Sequence, residues 1–141
     1  MNESATSMLH AVIAMGVLTF VMFLWMYVTR IPAMQKAGVA PQDAAHPKSY
    51  TLPSKVARVA DNYNHLFEAP TLFYAISIAI VLLGNADPLH ATCAWIFVWL
   101  RVAHSLVQAT VNIVMLRFAL FAAGFLAMGV MIVREALAAF A

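Results

Sequence analysis

The chain has 141 residues, 64% of them hydrophobic and 10% charged, with a formal net charge of +2 and a mean hydropathy of +0.85. A soluble domain carries about 25% charged residues, so this composition excludes one, and no nucleic-acid partner is expected of so apolar a chain. Strands of alternating polarity, the mark of outer-membrane barrels, are missing from the pattern. The reading is an all-α integral membrane four-helix bundle formed by a single domain over residues 1–141.

The first apolar run, Met8–Thr29, approaches the ~20 residues that a spanning helix needs, and a helix is expected over about 8–29. Its leader, MNESATS, holds Glu3 and no Lys or Arg, and the run is longer than a signal-peptide core, so it is read as a retained helix. The connection 30–51 contains Pro32, Gly38, Pro41 and Pro47, which predicts irregular structure. Thr51-Leu52-Pro53-Ser54 then reads as a helix start. A second helix over 53–84 would be about 48 Å long at 1.5 Å per residue, bent by Pro70 near Glu68. After the turn Gly84–Pro88 a third helix is expected over 89–112, with Cys93 as a small apolar packer. The fourth, over 117–140, is almost wholly apolar before Arg134; its Gly124 and Gly129 suggest close helix packing.

Charge is distributed unevenly. Five of the eight basic residues (Arg30, Lys36, Lys48, Lys55 and Arg58) lie in or beside the first connection, and Arg117 lies in the third. The positive-inside rule therefore puts these connections in the cytoplasm and both termini outside. A multi-pass protein of the inner, cytoplasmic membrane follows if the source is bacterial.

Two helices carry polar stripes. Arg58, Asp61, Asn62, His65 and Glu68 fall within about 120° on a helical wheel, and Arg101, His104, Ser105, Gln108 and Asn112 within about 100°. Both stripes lie toward the basic side, and ionisable groups at membrane depth are rarely left facing lipid. They are expected to face each other or a neighbouring subunit. Arg101 has two readings, an ion pair with Glu68 that fixes helix register, or a guanidinium for an anionic ligand. His65 and His104 read as members of a polar network, or less economically as axial haem ligands. No Cys/His spacing for a metal is present, and no metal is expected.

At these stripes the chain resembles the MAPEG family, membrane-associated proteins in eicosanoid and glutathione metabolism, over nearly its whole length. In the family's glutathione transferases the second helix carries Arg-x3-Asn-x2-Glu before a Pro. Here Arg58 and Asn62 match, the Glu position falls on His65, and Glu68-Ala69-Pro70 follows, with Asn64 an alternative Asn. The family's Arg-x2-His-x3-Tyr-x8-Arg reads as Arg101, His104, Gln108 and Arg117, with Gln in place of Tyr. The resemblance implies glutathione as co-substrate, an apolar electrophile as second substrate, and a homotrimer with sites between subunits. It implies that Arg117 stabilises the thiolate as the catalytic residue. Arg30, Arg58, Asn62, His65, Glu68, Arg101, His104 and Gln108 would line the glutathione site, with Glu68 receiving its ammonium. The expected function is a membrane-embedded glutathione-dependent transferase or peroxidase. The alternative is a non-catalytic MAPEG-like protein that binds a lipid or anionic ligand or serves as a subunit of a larger membrane complex.

Overall fold

The computed structural model describes residues 1–45 and 50–140, so Pro47 and Lys48 of the first connection lie outside the described residues. Helix α1 spans Glu3–Lys36, α2 Ser54–His65, α3 Ala69–Leu82, α4 Pro88–Ala109 and α5 Val114–Phe140, with a short 3-10 turn at Pro41–Ala45. No strand occurs among the described residues, of which 84% are helical. Helix α4 packs most extensively on α5, while α1 lies across α2, α3 and α4.

The first helix is longer than its apolar run. The Asn2 side chain accepts the Ala5 amide at 2.8 Å, and Glu3 sits in the first turn, so the N-terminus is capped and its dipole complemented. At the other end the helix runs through Pro32, whose missing amide leaves one carbonyl a turn earlier without its helical partner. It stops at Gly38, which adopts φ +65° while the Gly38 and Val39 amides bond back to the Gln35 and Met34 carbonyls. That is a Schellman closure, and it needs a residue able to enter the left-handed region. Gly84, at φ +76°, ends α3 in the same way.

The second helix, expected as one bent rod over 53–84, is instead two helices separated at residues 66–68. Pro70 has no amide to give the Leu66 carbonyl and its ring would collide there, so it fits only in the first turn of a new helix, where it sits. The third helix ends at Ala109, three residues before the expected boundary; Asn112 is therefore not on the stripe but in the α4–α5 turn, at φ +55°.

The core is apolar and rich in sulfur. Met8, Met15 and Met22 recur every seventh residue of α1, and all are fully buried. Phe73 of α3 stacks on Phe97 of α4 at 4.5 Å. Gly124 lies against the Phe97 ring with room for ordinary contact, and nothing approaches Gly129 within 4 Å, so neither glycine is required for close packing inside the chain.

One end of the bundle is tied by polar contacts. Asn2 donates to the Ala86 carbonyl at 2.8 Å, Asn85 to Glu135 at 2.7 Å, and Arg134 pairs with Asp87, which caps α4 through the His90 amide. Outward, α1 and α5 expose large apolar side chains such as Phe20, Val28, Phe118 and Leu126. Helix α1, the α2–α3 segment and α5 are each long and apolar enough to cross a membrane. Helix α4, at 22 residues, has the length, but its polar stripe makes it less apolar.

Candidate functional site

The break between α2 and α3 builds one wall of the site. Where α2 ends, the His65 carbonyl keeps only a long 3.4 Å bond from the Glu68 amide, and Arg101 of α4 donates its Nη2 to the same oxygen at 3.1 Å. Arg101 is 1% exposed, yet among the described residues its Nε and Nη1 have no acceptor. A guanidinium buried with two of its three nitrogens unmatched is costly unless something anionic completes it. The ion pair with Glu68, one of the two readings of Arg101, is not made among the described residues. Glu68 sits in the break, its side chain 65% exposed, with Oε2 2.5 Å from His65 Nδ1.

Around Arg101 the two stripes converge as expected. The His65 and His104 rings meet edge to face at 5.4 Å, and His65 stacks on Phe121 of α5 at 5.6 Å. The Arg101 guanidinium lies 6.0 Å from the same Phe121 ring, within cation–π range. Asn62, Ser105 and Gln108 are buried on the stripes, and polar atoms of all three lack partners among the described residues. His65, His104, Val114, Arg117, Phe118 and Phe121 line a groove of about 210 Å³.

Arg117 reaches this groove from the first turn of α5. Its Nη1 donates to the Asn112 side-chain oxygen at 2.7 Å, and its Nε is buried without a partner among the described residues. Asn112 thus holds Arg117 from a left-handed turn position, a conformation that Asn tolerates better than most residues. Arg58 is half-buried on α2, on the face of Asn62 and His65, with its Nε unpartnered. Arg30 is elsewhere. It donates to the Tyr50 hydroxyl at 2.7 Å and lines a separate groove of about 330 Å³ with Tyr27, Tyr63 and Asn64.

Of the residues expected at one site, His65, His104 and Arg117 share a groove, Arg101 and Glu68 touch His65, and Asn62 and Gln108 are buried on the stripes. Arg30 is not joined to them within one chain. Phe121 and Asn112 were not expected in these roles. An aromatic on an apolar helix reads as packing, and Asn112 was placed on a helix that stops short of it. Among the described residues no three His, Cys, Asp or Glu side chains gather as a metal would require.

A helical membrane protein with a buried arginine–histidine cluster at one end is the class that this fold and groove define. The MAPEG family model matches residues 8–137, and the chain belongs to that family, whose members are membrane proteins of glutathione and eicosanoid metabolism. No curated protein and no solved structure gives a match.

Proposed function

We propose that the chain is a glutathione-dependent transferase or peroxidase that acts on apolar electrophiles within the membrane. The observation that carries this reading is Arg101, fully buried, with Nε and Nη1 unpartnered beside the groove that His65, His104 and Arg117 line. Glutathione suits such a cluster. It brings two carboxylates for guanidinium groups, and a thiol with pKa about 8.5 that is mostly protonated at neutral pH. Cations within about 4–6 Å favour the thiolate by roughly 1–3 pKa units, which is the work assigned to Arg117. Conjugation forms one S–C bond, the leaving group departs with its bonding electrons, and the thiol proton is released.

The whole chain acts as one transmembrane domain, three copies assemble, and the groove of one subunit is completed by its neighbour. Arg30 supports this: its own groove lies apart from Arg117 within the chain, and a neighbour's Arg30 would reach the shared site across the boundary. Lipophilic substrate enters from the bilayer over Phe118, which is 65% exposed at the groove's edge. The basic connections face the cytoplasm.

A non-catalytic reading is favoured by one observation. Gln108 is buried where the transferases carry Tyr, and an amide can neither ionise nor donate a hydroxyl proton. Mixing purified protein with glutathione and following ultraviolet thiolate absorbance separates the two. Thiolate formation near neutral pH supports the transferase. Binding without thiolate at any pH supports the ligand-binding protein, and neither signal overturns the use of glutathione.

A further inference from the structure

Two positions depart from the transferase pattern: the second-helix Glu position is held by His65, which lines the groove, and the third-helix Tyr position by Gln108, which is buried on α4. His65 is not a loose imidazole. Its Nδ1 lies 2.5 Å from the Glu68 carboxylate, though not aligned as a hydrogen bond, and its ring stacks on Phe121 at 5.6 Å with an interplanar angle of 22°. The contact is made at the helix break, where Glu68 lies beside the end of α2 at φ −92°, ψ −99°.

We propose that His65 and Glu68 form a carboxylate–imidazole dyad in which His65 is the general base for the thiol. This rests on the glutathione reading above and deepens it. Once ligand binding aligns the two groups, a carboxylate on Nδ1 selects the tautomer that carries its proton there, which leaves Nε2 with a free lone pair. His65 lines the groove together with Arg117, so base and thiolate-stabilising cation share one wall. In the step, the thiol proton passes to His65 Nε2 and the S–H bonding pair stays on sulfur. That pair then forms the S–C bond as the leaving group departs with its own bonding electrons. The imidazolium is balanced by Glu68 and returns its proton to the leaving group or to water. Glu68 is a positioning residue here, since it acts through His65.

The charged and titratable groups facing His65 come from every element packed on it. Glu68 lies in the break, Arg58 and Asp61 on its own helix, Arg101 and His104 on α4, and Arg117 on α5.

The test uses full-length protein in detergent or nanodiscs, with glutathione and an aryl halide as probes, and measures conjugation rate against pH alongside glutathione affinity. Wild type should show an acid limb that reports one titrating base. His65→Gln should remove that limb and cost about 10²–10⁴-fold in rate, with glutathione affinity changed less than about threefold. Glu68→Gln, whose side chain is 65% exposed, should slow the reaction about tenfold with glutathione affinity changed less than about threefold. A purely structural pair would lower rate and affinity together and leave the limb where it was. An unchanged limb in His65→Gln, or an unchanged rate in Glu68→Gln, overturns the dyad while glutathione use stands. Wild-type protein with neither glutathione binding nor thiolate absorbance overturns the proposed function, and the dyad with it.

Discussion

Arg101 is the most constrained residue of the molecule, because its charge is buried and its single protein acceptor is a carbonyl exposed by a helix break. Hydrogen bonds to charged groups contribute about 1.5–3 kcal/mol each, so Arg101→Leu should abolish detectable glutathione binding in calorimetry. Arg134→Leu removes a half-exposed ion pair of the kind that contributes about 0.2–1 kcal/mol, and should leave binding unchanged. Equal, small effects of the two would count against the site. Arg117 and Gln108 make a second pair. Arg117→Ala should raise the bound thiol's pKa by roughly 1–3 units while leaving binding largely intact, and Gln108→Tyr should preserve or increase turnover; a pH titration of thiolate absorbance reads the first and steady-state kinetics the second.

Among the elements, the break at residues 66–68 matters most, and Pro70 causes it. Pro70→Ala returns an amide that can bond the Leu66 carbonyl, so α2 and α3 can run on as one helix. The expected outcome is unchanged or higher thermal stability with glutathione affinity lowered at least tenfold, because a regular helical bond to the His65 carbonyl competes with Arg101 for that oxygen. A variant that binds as well as wild type would show that the break does not shape the site. The number of apolar runs, the convergence of the two stripes and the family were legible in the sequence, since 3.6-residue periodicity survives without tertiary information. Three things were not. Pro70 signals a bend, but the sequence does not say whether a helix kinks or parts there. The run of α1 to Lys36 depends on Gly38 closing it beyond a proline that reads as a stop. Phe121 is one of several α5 aromatics at helical spacing, and only packing shows which of them lies under a guanidinium.

For the whole molecule, assembly and acid sensitivity are the testable properties. If a site is shared between subunits of a trimer, Arg30→Ala and Arg117→Ala chains should each be inactive alone. Co-assembled at equal amounts they should recover about one quarter of the sites, because each mixed ring keeps one boundary with both arginines. No recovery in trimers verified by native mass spectrometry would put both residues in one subunit's site. At the other end of the bundle, the His90 backbone amide holds the Asp87 carboxyl below its ordinary 3.8, with Arg134 adding to the effect and partial burial opposing it. A depressed carboxylate stabilises the fold above its unfolded pKa, and this stabilisation is lost as pH falls through the lower folded value. Melting temperature should therefore drop below about pH 4, and Asp87→Asn should flatten that part of the profile.

The length of α1 has a consequence for which bilayers suit the protein. Thirty-four helical residues measure about 51 Å at 1.5 Å each, against a hydrocarbon thickness of about 30 Å. Its exposed apolar surface runs from Ile13 to Ile31, 19 residues, about 28 Å of rise. This band nearly matches an average membrane with little tilt. Arg30 then stands at the boundary between acyl chains and headgroups, where a guanidinium can snorkel to water. A thicker bilayer would draw Arg30 below that boundary, and a thinner one would tilt α1 against α4. Lipid chain length thus becomes a control on geometry, acting from outside the protein with no ligand involved.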